Sequence, residues 1–503
     1  MSVARKIFSN TVWQVAGKVV VAILGIVSIK FITNYLSRSE YGEYTTIYDY
    51  TALFAIIADF GLFTIALREM AHDEKSTEKI IGNVLSIRTT LAVFALGIGV
   101  LAAYLIPAYS SSAIPFGVAI VSLATIITLA AGTISSVLQL HLKMHWASIA
   151  LSAGKFITVG YIMVVILYIF PNNPELGFPH LLLAWIFGGI VTIFITYFAT
   201  RKFVKIAPQF DFKFWKEVLI KALPYGAALV LGTIYFRMGT IVLSLYKMKD
   251  AVGFWGVPMR FLEILQIIPH YFMNSVLPIL TLTIRGNFER SPRIIKYSLC
   301  AMAAMSLPIF VGGYIVAYPL TAAVSSPQFL THYIGTELIL GSDVVLKILL
   351  AALVFTSLHV VLTYSLVAMG KQIELLWINA VAVVINVVLN LILAPRFGAT
   401  GAAITAATTE MIMFILLTIR LRHYIKGIWD GAFLAKTAIS SIFMGTVLFT
   451  ATTYFEKLLL PVGLLILIPL GAVAFATSMF ATKAISKEMI ALFKKTEPSN
   501  HQP

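Results

Sequence analysis

The stretch TVWQVAGKVVVAILGIVSIKFIT, Thr11–Thr33, decides the fold class. It is nearly unbroken apolar sequence of the length that crosses a bilayer as a helix, roughly 20 residues. It is too long for a signal-peptide core and has no small-x-small cleavage site, so it reads as a retained first transmembrane helix. Wound as a helix, Asn10, Gln14, Lys18, Gly25 and Ser28 fall within roughly 80° of one another at about 100° per residue. One narrow face is therefore polar or small, and the rest is largely Val, Ile and Ala. Such a face turns from lipid towards neighbouring helices or towards a polar pathway. Lys18 favours the pathway, because a lysine is poor packing glue and a charge at the centre of a span costs about 2.5–3.5 kcal/mol on insertion scales.

The rest of the chain repeats this pattern. Of its 503 residues, 59% are hydrophobic and 12% charged, against roughly a quarter charged in water-soluble domains. The expected class is an all-α polytopic membrane protein with about fourteen transmembrane helices. They are placed near 11–33, 44–66, 82–106, 114–138, 147–170, 179–200, 217–245, 252–283, 294–321, 343–368, 373–394, 400–419, 431–454 and 459–481. The single cysteine, Cys300, lies in an apolar segment and excludes an intrachain disulfide. The net charge of +15 points to topology rather than to nucleic acid. One set of connecting segments holds most of the Lys and Arg, and the other holds only Arg38, Lys247, Lys249, Arg396 and Lys457. The positive-inside rule then puts both termini in the cytoplasm, with contact to anionic lipid heads as a secondary role for the basic surface.

No connection is long enough to form a separate domain. The longest outer one, 322–342, reads as a short amphipathic segment on the membrane surface. The longest inner one, 201–216, is basic and aromatic and reads as a linker between halves. The tail 483–503 ends in EPSNHQP and reads as disordered. A faint repeat links Arg38-Ser39-Glu40-Tyr41-Gly42-Glu43-Tyr44 to Lys249-Asp250-Ala251-Val252-Gly253-Phe254-Trp255, each opening a long helix; six-helix repeats are a common transporter plan. There is no G-x-x-x-x-G-K-[ST] and no H-E-x-x-H. His141 and His145 have ligand-like spacing but no third partner. With no outer loop large enough for catalysis, the chain reads as a secondary transporter rather than an enzyme, with no cofactor.

Charges inside the spans mark the interior. Lys18, Lys30, Lys155, Arg237, Arg260 and Lys347 are opposed there by Asp49, Asp59, Glu263 and Glu410. This basic excess suggests an anionic passenger. Arg237, in PYGAALVLGTIYFRMGTIVLSLY beside Tyr235, keeps its charge and suits phosphate, or else pairs with Glu263 or Glu410. Arg260 and Glu263, three apart, can neutralise each other. They share a stripe with Tyr271 and Asn274 on a segment punctuated by Pro258, Pro269 and Pro278. Tyr48 shares a face with Asp59, which reads as a proton site or as the partner of Lys18 or Arg68. Asp49 pairs with Lys30 as a gate or a staple. Asn379, Asn386 and Asn390 fall within about 40° on one helix, to glue it to the next helix or to coordinate a cation.

KIFSNTVWQVAGKVV at the start, the loop YLSRSEYGEY, ADFGL followed by Arg68, and NVVLNLILAPRFGATGAA resemble, in this order, the Wzx-type polysaccharide-biosynthesis flippases of the multidrug/oligosaccharidyl-lipid/polysaccharide exporter superfamily. The resemblance covers almost the whole length. It implies two six-helix lobes, 1–200 and 217–420, around a central cavity, joined by the linker 201–216 and followed by two further helices within 421–482. It implies an undecaprenyl-diphosphate-linked glycan moved to the outer leaflet of the bacterial inner membrane. An ion gradient or the membrane potential would drive alternating access, the coupling ion being proton or sodium. Lys18, Lys30, Arg237 and Arg260 would meet the diphosphate. Asn10, Gln14, Tyr48, Tyr235, Tyr271 and Asn274 would line the cavity or meet sugars. Asp49, Asp59, Glu263, Glu410, Asn379 and Asn386 would couple or gate. The polysaccharide polymerase machinery and membrane lipids are the implied partners. Related peptidoglycan-precursor flippases carry an ion site with acids on the seventh and eleventh helices; this chain has Asn379 and Asn386 instead, which leaves sodium open. A peptidoglycan-precursor flippase and a multidrug antiporter share the fold and stand as alternatives.

Overall fold

The computed structural model describes the backbone of residues 3–72, 76–455 and 460–484, with side chains from Val12 onward for nearly all of these. From residue 485 on, the tail expected to be disordered lies outside the described residues. The helices run α1 Val3–Tyr35, α2 Arg38–Asp59, α3 Leu62–His72, α4 Thr77–Leu105, α5 Ile114–Leu140, α6 Met144–Val164, α7 Pro174–Thr200, α8 Phe212–Leu245, α9 Lys249–Gly286, α10 Ser291–Ile315, α11 Ala317–Val324, α12 Ser342–Ala368, α13 Gln372–Tyr424, α14 Gly431–Phe455 and α15 Leu460–Ala481. Large apolar side chains such as Phe94, Leu105, Tyr168 and Leu465 stand exposed on their flanks, as a lipid-facing surface requires.

Thirteen helical stretches among the described residues are long and apolar enough to span a membrane. One of them, α13, has 53 residues. Straight, it would reach about 80 Å, against a hydrocarbon core of about 30 Å. It is two helices meeting at Gly398, whose φ of 57° and ψ of −137° are non-helical. Glu374 lies 2.7 Å from Arg420 and 2.6 Å from Tyr424, and Asn386 lies 3.5 Å from Thr409. These pairs straddle Gly398 almost symmetrically, so the two arms fold back as an antiparallel hairpin. Counted as two spans, α13 brings the total to the fourteen expected.

The chain divides into two compact units. The first holds Met1–Gly256, Val324–Gln328 and Asn390–Ala399; the second holds Val257–Ala323, Phe329–Leu389 and Thr400–Pro503.

In the first unit, a capping box starts α2. Ser37 Oγ accepts from the Glu40 amide at 3.3 Å, and Glu40 Oε2 accepts from the Ser37 amide at 2.8 Å. The helix ends in ADFGL, where Phe60 (φ 36°) and Gly61 (φ 74°) take the left-handed conformation before α3 resumes. α8 runs antiparallel along this broken helix. Lys249, just beyond α8, pairs with Glu43. Arg237 pairs with Asp49, a Cβ on Gly61 would strike the Tyr225 ring, and Lys221 meets Glu69 at 2.9 Å. Below these contacts lies an apolar core that includes Leu62, Met70, Ile81, Val84, Ile87 and Ala222.

The faint repeat has a structural counterpart. A Cβ on Gly42 would strike the Lys249 carbonyl, and one on Gly253 would meet the Arg38 carbonyl at 2.5 Å. One on Gly256 would meet Thr45 Oγ1 at 2.6 Å. Arg38/Lys249, Gly42/Gly253 and Thr45/Gly256 are each 211 positions apart (249 − 38, 253 − 42 and 256 − 45). The first two contacts therefore exchange under that shift, and the third maps onto itself, as a local two-fold demands.

The basic, aromatic segment 201–216 is anchored on α4. Asn83 Oδ1 accepts from the Asp211 amide (2.8 Å) and from Trp215 Nε1 (3.1 Å), and Ser86 Oγ accepts from the Gln209 amide (3.0 Å).

In the second unit, α10 packs on α12 and α14, and α14 on α15. The core includes Leu299, Val361, Leu362, Leu366, Leu417 and Leu421. The connection expected as an amphipathic surface segment is different. It holds the last residues of α11 and an antiparallel hairpin, β1 His332–Ile334 and β2 Glu337–Ile339, in register Tyr333↔Leu338, turning at Gly335 (φ 62°). Asp343 Oδ1 fixes this excursion by accepting from both the amide and the hydroxyl of Thr331 at 2.8 Å.

Candidate functional site

A cavity of about 350 Å³ opens in the first unit among α1, α5, α6 and α7, lined by Gln14, Lys18, Lys155, Thr158, Trp185 and Thr192 among others. Glycines bring its walls together. A Cβ on Gly154 would lie 2.6 Å from the Gly188 carbonyl, and one on Gly188 would lie 2.5 Å from the Gly154 carbonyl. Thr192 stands against Gly154 and Thr158 against Gly188. The two Gly-x-x-x-Thr motifs thus cross face to face, the small-residue packing by which membrane helices approach closely. Gly17 of α1 packs on Ser148 of α6 in the same way.

This crossing sets Lys155 Nζ 4.4 Å over the Trp185 ring. Trp185 continues into an aromatic row on α2. Its ring lies 5.1 Å from Tyr48 and its Nε1 donates to the Tyr44 hydroxyl at 3.3 Å. Tyr48 is 4.7 Å from Tyr44, which stacks at 6.1 Å on Tyr41. None of the described lining residues is acidic. Two ammonium groups beside a polarisable row can hold an anion while presenting ring faces to a neutral, hydroxylated group.

The structure therefore brings together Gln14, Lys18 and, through Trp185, Tyr48 of the expected site. It adds Lys155, noted in the sequence only as an intramembrane charge. The side chain of Asn10 lies outside the described residues.

Other expected partnerships are corrected. Arg237 meets an acid of its own unit: its Nη1 lies 2.6 Å from Asp49 Oδ1, and Thr240 Oγ1 donates to Asp49 Oδ2 at 2.5 Å. The antiparallel run of α8 along α2 sets these groups opposite each other, where a buried carboxylate needs a compensating cation. Lys30 Nζ donates to the Ser325 carbonyl at 2.9 Å. Asp59 meets neither Lys18 nor Arg68. It lies 2.5 Å from Arg88 Nη2, while Arg88 Nη1 donates to Thr133 Oγ1 at 2.8 Å. Arg88 is 5% exposed and was missed; its one signal is a charge inside SIRTTLAVF.

In the second unit, Arg260 Nη1 donates to both Glu263 oxygens, at 3.0 and 2.8 Å, as the spacing anticipated. Asn274 Oδ1 accepts from the Tyr364 hydroxyl at 2.9 Å. Tyr235, Tyr271 and Asn379 are half-buried. Asn386 Nδ2 reaches Thr409 Oγ1 at 3.5 Å across the α13 hairpin, the gluing alternative at the long limit of a hydrogen bond. Glu410 lies 2.7 Å from His359 Nε2. His359 was also missed, although it is the one imidazole in the apolar run TSLHVVLTYS. His141 engages the Val137 carbonyl at 2.9 Å and stacks on Phe203, and no His, Cys, Asp or Glu group fit to hold a metal occurs among the described residues.

Outside the spans, Asp211 caps α8 by accepting from the Phe214 amide at 3.1 Å and pairs with Lys79 at 2.9 Å. The Lys79 hydrogen bond, seconded by that amide, holds its carboxyl below the usual range.

Known proteins share this plan. The chain is 21% identical over 423 residues to a Shigella flexneri protein named "Putative O-antigen transporter", covering 82% of this chain and 96% of that one. It is 22% identical over 219 residues to the Haloferax volcanii "Probable low-salt glycan biosynthesis flippase Agl15", covering 43% of this chain and 44% of that one. Its fold is like that of the lipid II flippase MurJ in an inward closed conformation, with a TM-score of 0.72 at 15% identity over 95% of this chain and 100% of that one. It is also like an inward-facing MATE-family multidrug transporter of the MOP superfamily, with a TM-score of 0.62 at 13% identity over 80% and 95% of the two chains. A family model described as polysaccharide biosynthesis protein matches residues 7–283, more than half of the chain. This multi-pass membrane protein belongs to the polysaccharide biosynthesis protein family.

Proposed function

We propose that this chain is a flippase that moves an undecaprenyl-diphosphate-linked oligosaccharide, a surface-polysaccharide repeat unit, from the cytoplasmic to the outer leaflet of the bacterial inner membrane. The reading rests on the Lys18–Lys155–Trp185 cavity, whose Trp185 ring is backed by Tyr48. The two ammonium groups suit a diphosphate, and Trp185, with the half-buried Tyr48 beside it, suits a sugar face. Lobes 1–200 and 217–420 alternate access, driven by an ion gradient or the membrane potential, with both termini cytoplasmic. The polymerase that consumes the flipped unit is the partner at the outer face.

A multidrug antiporter would need a cavity that attracts organic cations, and this one is basic. A peptidoglycan-precursor flippase would use the same diphosphate chemistry, so it becomes an arm of the test. Leaflet transfer of labelled undecaprenyl-diphosphate oligosaccharide is followed in proteoliposomes for wild type and Lys18→Gln/Lys155→Gln. Transfer by wild type, lost in the double variant, supports the reading. Transfer of the peptidoglycan precursor alone assigns the alternative, and efflux of organic cations alone overturns both.

A further inference from the structure

Three cations gather at one end of the first unit, away from the Lys18–Lys155 cavity. Lys143, Trp146, Phe194, Phe198, Arg201 and Lys202, among others, line a second space there of about 420 Å³. The two cavities share no lining residue. On α7 their residues stand on different faces, at about 100° per residue. No acid lines the second cavity among the described residues. We propose that it binds an anionic phospholipid, whose phosphate meets the three cations and whose acyl chain lies on the aromatic rings. The site needs only a membrane around the chain, so it stands apart from the flippase reading above.

Backbone geometry sets both rims. α5 ends with Leu142 in the left-handed conformation (φ 54°). The Leu142 amide donates to the Gln139 carbonyl at 3.1 Å, and the Lys143 amide to the Leu138 carbonyl at 2.7 Å. This pair of bonds is a Schellman turn, and it fixes Lys143 just before α6. On the facing rim, the Phe203 and Val204 amides donate to the Thr200 carbonyl at 2.9 and 3.3 Å, and Thr200 and Val204 are buried. Arg201 and Lys202 thus ride on an anchored turn with their side chains exposed. The His141 and Phe203 rings, with centres 4.7 Å apart, tie one rim to the other.

The chemistry changes with depth. The Arg201 guanidinium carbon lies 4.1 Å from the centre of the Phe198 ring. A guanidinium over a ring keeps its in-plane N–H groups for an oxyanion, and their fork matches two phosphate oxygens. Lys143 and Lys202 add point charges beside it. Phe194, 61% exposed, stands seven residues before Arg201 on the same helix, about 10 Å further into the span. Trp146 is exposed on α6. Trp13, His145 and Trp146 gather at this end, with successive ring centres 6.4 and 5.7 Å apart, as in the aromatic belt at a membrane–water boundary. Cations at the rim and exposed rings below it match a phospholipid seated across that boundary, and basic pockets between membrane helices take such heads. A soluble anion would leave the rings unmatched. A zwitterionic lipid would set its own ammonium against three cations.

Trp146 can report the site. Full-length protein is placed in phosphatidylcholine nanodiscs containing a small fraction of lipid with brominated acyl chains, which quench tryptophan on contact. Brominated phosphatidylglycerol should quench wild type more than brominated phosphatidylethanolamine at the same mole fraction, and the excess should vanish in Trp146→Phe. Each of Lys143→Gln, Arg201→Gln and Lys202→Gln should raise the phosphatidylglycerol fraction needed for half of the excess about fivefold, the share of one cation near a membrane surface. Arg201→Lys, which keeps the charge and loses the fork, should fall between wild type and Arg201→Gln. Equal quenching by the two lipids, an excess that survives in Trp146→Phe, or one unchanged in all three glutamine variants overturns the proposal. So does loss of the excess on adding inorganic phosphate at matched ionic strength, which assigns the cavity to a soluble anion. No glycan is present, so the two readings fail separately. A chain that moves glycan and shows no excess loses the lipid site alone. A chain that shows the excess and moves no glycan keeps the lipid site and loses the flippase reading.

Discussion

Arg237 Nη1 lies 2.6 Å from Asp49 Oδ1, joining residues 188 positions apart at a side chain that is 4% exposed in Asp49 and 20% in Arg237. This makes Arg237 a fastener between α2 and α8. Arg237→Ala takes this cation from a buried carboxylate, so it should lower stability by about 3–5 kcal/mol. Asp49→Asn combined with Arg237→Met should recover most of that loss. Thermal unfolding in detergent checks both, and equal losses in the single and double variants would contradict the pairing.

The Gly42 and Gly253 contacts leave no room for a methyl group. Gly42→Ala and Gly253→Ala should each cost about 1–3 kcal/mol, as overpacking against backbone does. Gly25→Ala, with nothing within 4 Å of the added carbon, is the control and should be close to neutral in the same unfolding assay.

Gly398 turns the α13 hairpin with a positive φ that side chains rarely adopt. Gly398→Ala should cost about 1–3 kcal/mol through backbone strain alone, because its nearest neighbours are 3.5 Å or more from the added carbon. The melting temperature should fall even though no contact is lost.

Asp211 gives a pH dependence. Its carboxyl lies below the usual range because Lys79 and the Phe214 amide favour the charged form. The folded value is therefore lower than the unfolded one. The stabilisation is complete above the unfolded value and is lost as pH falls through the folded one. In melting curves on the acid side, wild type should lose stability from about pH 4 downward, and Asp211→Asn should show a shallower fall.

At the cavity, Lys155→Gln should slow leaflet transfer about tenfold, the cost of one charge-assisted contact of about 1.4 kcal/mol. Trp185→Phe, which keeps a ring under Lys155, should lose less than Trp185→Ala. Equal rates for wild type and Lys155→Gln would remove this cavity from the transport path.

The sequence alone determined the helices, because a membrane helix is a local object. Its length is set by the bilayer, its hydrogen bonds close within four residues, and apolar stretches such as Thr11–Thr33 and Pro224–Tyr246 declare both. It also marked most intramembrane charges as interior, and the i, i+3 pair Arg260–Glu263 was legible because a single helix fixes that distance. Arg88 and His359 are each the one basic side chain in an otherwise uncharged run, too little to show what they would meet.

Only the tertiary structure decided who meets whom. Asp49 took Arg237, Asp59 took Arg88 in place of Arg68, and Lys155 joined Lys18 across α1 and α6. Those choices depend on which helices lie side by side and at what depth. Helix–helix packing sets both, through glycines such as Gly154 and Gly188 whose use becomes visible only when a second backbone stands against them. Electrostatic pairing in a low dielectric is strong at contact, so an arrangement that shifts one helix by a turn exchanges every partner along it.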